Sequence, residues 1–152
     1  MKSLFTKYFI CGLFKYLQKG DGGKLEQQLS FLGRDIGQRI ALLTRFKRDR
    51  DLDSLVYRIV FVLLPCLYPA DREIAKGEDP ALPFYIHESS PAFEDFDYQD
   101  PSFCASAVVA GIIEMVLEIS GFEFQVLAYN CQNGDEKKKV VYTIGIKTSR
   151  NA

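Results

Sequence analysis

One histidine, no tryptophan and four scattered cysteines leave this 152-residue chain poor in the usual chemistry-bearing side chains. Cys11, Cys66, Cys104 and Cys131 form no C-x-x-C pair. Zinc sites draw three or four thiolate or imidazole ligands from close spacings, so buried, reduced thiols are expected here instead. The scatter fits a reducing compartment better than a secreted one. Histidine-based catalysis would have to use His87, flanked by Glu88 and Ser89, and no second histidine or G-x-S-x-G elbow supports it. His87 is expected to face solvent at a strand end. Glu94, Asp95 and Asp97 fall in a stretch of like charge, where an exposed loop gives no desolvation to tune a general acid or base. KGDGG at 19–23 runs into Lys24-Leu25 and lacks the first glycine of a phosphate-binding loop. The expectation is a protein that is not an enzyme and needs no cofactor or metal.

Charge of one sign is lacking too. Nineteen basic against twenty acidic side chains give a net charge of −1, and phosphate binding needs a surplus of Lys and Arg. Nucleic acid is therefore not expected as a partner. No apolar run approaches the roughly 18–20 residues that cross a bilayer. The longest, Ile59 to Tyr68, is interrupted by Pro65, and the apolar stretch 103–122 carries Glu114 and Glu118. MKSLFTKYFICGLFKYLQK opens like a signal peptide, but Lys7 and Lys15 break its apolar run and no small-residue cleavage site follows.

What is present fits one ordinary globular domain, 1–152, with 47% hydrophobic and 26% charged residues. Near residues 3–18 a helix is expected, with Lys7, Cys11, Lys15 and Gln18 on its polar stripe. Leu4, Phe5, Tyr8, Phe9, Leu13 and Phe14 lie on a wide apolar arc. KGDGG ends it, and the next helix reads KLEQQLSFLGRDIGQRIALLTRF. Its seam is Leu25, Leu29, Leu32, Ile36, Ile40 and Leu43. Gly33 and Gly37 interrupt that seam, each costing roughly 1 kcal/mol of helix propensity relative to Ala. Two such residues on one edge imply another backbone passing close. The connector that follows holds Arg45, Lys47, Arg48 and Arg50 and is read as a solvated connector, with contact to an anionic surface or an acidic partner as the other reading.

DLDSLVYRIVFVLLPCLYP gives a third helix, capped by Asp51 or Asp53, broken near Pro65, and apolar enough all round to lie centrally. REIAKG and LPFYIHE read as short strands, joined across Gly77–Pro83. ESSPAFEDFDYQD, 88–100, reads as an exposed acidic loop with aromatic anchors, with a binding loop for a basic partner as the other reading. A helix over 103–122 follows, with Asp100 or Ser102 as cap, Pro101 in the first turn and Gly121 as its left-handed stop. Ala107, Gly111, Glu114 and Glu118 form its one wet line. FEFQVLAYN and KKKVVYTIGIK alternate as a closing β-hairpin around Asn133-Gly134. The fold class is α+β: about four helices on one face of a small antiparallel sheet of about four strands.

Two stretches carry a resemblance. LGRDIGQR at 32–39 resembles an L-G-R-x-[VI]-G-x-R pattern, matched by Leu32, Gly33, Arg34, Ile36, Gly37 and Arg39. AGIIEMVLEISGF at 110–122 resembles the later helix of the same family, the small subunits of the transport protein particle, TRAPP, most like its subunit-five branch. Cys104-Ala105-Ser106 stands one residue upstream of the family's C-A-S, and the usual extension before the second helix is nearly absent. The resemblance implies a non-catalytic building block that forms a heterodimer with other TRAPP small subunits through its first two helices. It implies a rod that acts as a guanine-nucleotide exchange factor for a Rab GTPase and tethers vesicles. The setting implied is cytoplasmic, peripheral at endoplasmic-reticulum and cis-Golgi membranes. The expected subunit interface is Leu4, Tyr8, Phe9, Leu13, Leu25, Leu29, Leu32, Gly33, Ile36, Gly37, Ile40 and Leu43. One relative carries an acylated cysteine in the connector after the second helix; Thr44 to Asp53 contains none, so no such acylation is expected. The alternative is a lipid- or small-molecule-sensing domain with a cavity lined by Phe61, Met115 and Phe124.

Overall fold

The computed structural model describes residues 22–44, 51–89, 104–131 and 138–147. The expected helix near 3–18, the connector at 45–50, most of the acidic stretch and the Asn133-Gly134 turn lie outside these residues. Helix α1 spans Gly22–Leu43, close to the expected limits. Its last turn is closed by Thr44, whose amide and hydroxyl both donate to the Ile40 carbonyl.

Helix α2 begins at Leu52 because the Asp51 carboxylate accepts from the Ser54 amide and hydroxyl, satisfying an orphan donor of the first turn. It runs as α-helix over Leu52–Arg58, widens into a π-helical turn over Ile59–Leu63, and closes over Leu64–Leu67. Pro65 is the cause of the widening. Its missing N–H and its ring are incompatible with a regular turn, and the wide turn, marked by the Leu64 amide donating to Ile59, makes room. The expectation of a fully central helix is corrected. Leu55, Val56, Ile59, Val60, Leu63 and Leu64 are buried, but Tyr57, Phe61, Val62 and Leu67 are exposed.

Strands β1 (Asp71–Lys76), β2 (Phe84–Ser89), β3 (Phe124–Cys131) and β4 (Lys139–Ile146) form one antiparallel sheet in the order β1-β2-β4-β3. Both hairpins match the alternation in the sequence. The β2–β4 pairing, which joins them, carries no local sequence signal. Register sets the inward rows: Ile74, Ile86, Tyr142 and Ala128 in one, Phe84, Ile144 and Val126 in the next.

Helix α3 spans Ala107–Ile119, shorter than expected. Cys104–Ser106 form a buried turn before it, so Ser106, rather than Asp100 or Ser102, holds the cap position. The amide of Cys104 is taken by Glu26 of α1 at 2.8 Å. The stop is as expected. Gly121 has φ +95°, with Phe122 N–H returning to Leu117 and Gly121 N–H to Glu118, a Schellman closure. Nine of the thirteen α3 residues are buried, as a helix between α1 and the sheet must be.

Candidate functional site

Three features of the described residues stand out: the α1–α3 seam, a buried ion cluster at one end of the sheet, and apolar side chains left in solvent.

The seam is a backbone-to-backbone contact. A Cβ added to Gly33 would lie 1.9 Å from the Val108 carbonyl oxygen, and one on Gly111 2.1 Å from that of Ser30. At Gly37 the nearest atom would be the Ile112 oxygen at 2.9 Å. The close backbone expected from the glycine spacing is therefore the chain's own α3. Arg34 sits beside this contact, donating from Nη1 to Glu114 Oε1 at 2.6 Å and from Nη2 to Glu118 Oε2 at 2.5 Å. The Arg34 hydrogen bond holds the Glu118 carboxyl below the usual carboxylate range. The line read as the one wet side of α3 is thus corrected. Ala107 and Gly111 are buried under α1, and the two carboxylates are closed by arginine.

Leu25 and Leu29 are buried in the chain's own core, as Gly33 and Gly37 are under α3. At these four positions the seam expected to meet another chain meets this one. Leu32, Ile36 and Ile40 are half-buried, with Ile36 and Ile40 packed on the core. Leu43 is 84% exposed. Leu4, Tyr8, Phe9 and Leu13 lie outside the described residues. Two residues missed by the seam reading join Leu43 in solvent: Leu42, 72% exposed, and Phe31, 71% exposed. Their signal was present as leucine and phenylalanine off the periodic stripe.

At the other end of the sheet Glu88 is fully buried on β2, opposite Arg72 on β1 in the strand register. Its Oε2 accepts from Arg72 Nε at 2.8 Å and from the Tyr68 hydroxyl at 2.7 Å, and its Oε1 from the Tyr142 hydroxyl at 3.3 Å. Arg72 also donates to the Tyr68 carbonyl at 3.2 Å and stacks 4.5 Å above the Tyr68 ring. Burial, then the Glu88 charge, pushes the Tyr68 phenol far above its ordinary value; burial does the same for Tyr142. Glu88 thus belongs to the core, not to an exposed acidic loop. Alternation with Phe84 and Ile86 put it on the inner face, but its charge hid that placement.

His87 is exposed on the opposite face of β2, facing solvent as expected but within the strand rather than at its end, paired with Glu73 and Val141. It lines an open groove of about 700 Å³ with Phe61, Pro65, Arg72, Glu73 and Lys139. The cavity expected from Phe61, Met115 and Phe124 is not assembled. Met115 abuts Gly37 at the seam and Phe124 stacks on Phe122, while Phe61 belongs to the groove. Among the described residues no cluster of His, Cys, Asp or Glu is placed to hold a metal, and no helix is long and apolar enough to cross a membrane.

These features meet a single family in comparison with known proteins. A sequence model described as transport protein particle (TRAPP) component matches residues 6–147. A chain of Encephalitozoon cuniculi assigned as trafficking protein particle complex subunit TRS31 is 27% identical over 144 residues, covering 91% of this chain and 97% of that one. Human trafficking protein particle complex subunit 5 is 29% identical over 115 residues, 70% of this chain and 61% of the human one. Among solved structures, a subunit 3 from Naegleria fowleri, covalently bound to palmitic acid, superposes with a TM-score of 0.70 at 14% identity. It covers 95% of this chain and 96% of that one, which shows the shared fold. The chain belongs to the TRAPP component family, and the sequence relatives named here are the TRS31 and subunit 5 members.

Proposed function

We propose that this chain is a non-catalytic assembly subunit of a TRAPP complex, pairing with other small subunits of the family. The observation that carries the reading is the outer side of α1, where Phe31 at mid-helix and Leu42 and Leu43 at its end stand 71%, 72% and 84% exposed. Three large apolar side chains along one helix are costly to leave in water, roughly 1.5–3 kcal/mol each. Permanent interfaces are built from such surface. The partner surface runs over Leu32, Ile36, Ile40 and Leu43 of α1, continues through Phe31 and Leu42, and includes Leu4, Tyr8, Phe9 and Leu13. Through the assembled complex the chain serves Rab guanine-nucleotide exchange and vesicle tethering between the endoplasmic reticulum and the Golgi, as a cytoplasmic, peripherally membrane-associated component.

Co-expression tests this. Alone, the full chain should self-associate with rising concentration; with a TRAPP small-subunit partner it should elute as a monodisperse heterodimer. A monomer at high concentration that takes up no family partner would refute the reading.

A further inference from the structure

Among the described residues β3 pairs only with β4 and is an edge strand of the sheet, and edge strands offer backbone groups to any passing strand. In an antiparallel ladder alternate residues direct these groups toward and away from the neighbouring strand. The Val126 amide donates to Glu114 Oε2 of α3 at 3.0 Å, so Val126, and with it Phe124, Ala128 and Asn130, faces away from β4. Phe124 N–H is turned back onto the Phe122 carbonyl at 3.2 Å. The first two outward donors of β3 are therefore filled from within the chain.

Glu114 is held for this task. Its side chain is only 14% exposed, and its other oxygen is fixed by Arg34, which spans to Glu118; Lys147 approaches Glu118 at 3.5 Å. One carboxylate thus ties the α1–α3 seam to the rim of the sheet. We propose that Glu114 guards the outer side of β3: by occupying the Val126 donor it keeps the strand from pairing with β3 of a second copy of this chain. An edge meets its own copy about a two-fold axis with the same groups on both sides. The exposed Leu127 and Tyr129 would extend that pairing with apolar contact across the outer face.

Amide hydrogen exchange on the full chain, read at Val126 in dilute and concentrated solution beside the molecular mass from light scattering, tests the guard. In the wild type Val126 is protected equally at both concentrations. Glu114→Ala exchanges Val126 about tenfold faster when dilute, the loss of one hydrogen bond. It regains protection when concentrated, as its mass rises above that of the wild type at the same concentration. Glu114→Gln keeps an acceptor and stays protected. If Glu114→Ala does not fold, Glu114→Asp keeps the charge near Arg34 but withdraws it from Val126, and it should show the same concentration dependence. Unchanged Val126 exchange in the Ala or Asp variant overturns the proposal. So does exchange that stays fast at every concentration with a mass no greater than that of the wild type at the same concentration.

Discussion

Gly33 of α1 lies against the carbonyl of Val108 so closely that a methyl group there would sit 1.9 Å from the oxygen. The opposing atom is backbone, which no rotamer change can move aside. Gly33→Ala and Gly111→Ala should each destabilise the chain by about 3 kcal/mol, at or beyond the upper range for overpacking. Gly121→Ala meets no atom within 4 Å but must hold φ +95°, and should cost about 1 kcal/mol. Urea denaturation of the three variants checks the ranking.

The Arg34 fork makes a prediction in acid. Glu118 titrates below its ordinary value because Arg34 hydrogen-bonds its charged form. A depressed carboxylate contributes stability that is complete above the unfolded value, about 4.3, and lost as pH falls through the folded one. Stability should therefore drop in that window in the wild type and less steeply in Arg34→Met, measured by thermal melts from pH 6 to 3.

The cluster around Glu88 makes the alkaline counterpart. Tyr68 and Tyr142 ionise far more readily unfolded than folded, chiefly because both are buried. The unfolded state loses protons first, so stability should fall as pH rises past about 10, and Tyr68→Phe should flatten that fall. Glu88→Gln leaves Arg72 buried without its counter-charge and should cost about 3–5 kcal/mol at neutral pH.

On the surface, Leu42→Asp with Leu43→Asp should change stability by no more than about 0.5 kcal/mol each, because both side chains already stand in water. The same pair should abolish heterodimer formation in co-expression.

How far the sequence carried the account depended on whether a signal was local. Leu25 and Leu29 at helical spacing, the Asp51 cap, the Gly121 stop and the alternation of Val140, Tyr142 and Ile144 are local, and each element was legible from them. Gly33 and Gly37 announced a close backbone, but a glycine cannot say whose. The answer, Val108 and Ile112 of the same chain, is a contact across some 75 residues. The pairing of β2 with β4 and the burial of Glu88 beside Arg72 are likewise long-range results of register. Charge misled at Glu88 and again at Glu114, since a carboxylate reads as solvent-facing until its arginine is found.

Capture of the full-length tagged chain from its own cells, followed by intact-complex mass determination, addresses the assembly role most directly. The account predicts a defined multisubunit particle that contains further TRAPP small subunits and falls apart when Leu42 and Leu43 are both aspartate. A lone chain of 17.3 kDa, or a particle indifferent to those two substitutions, would contradict it.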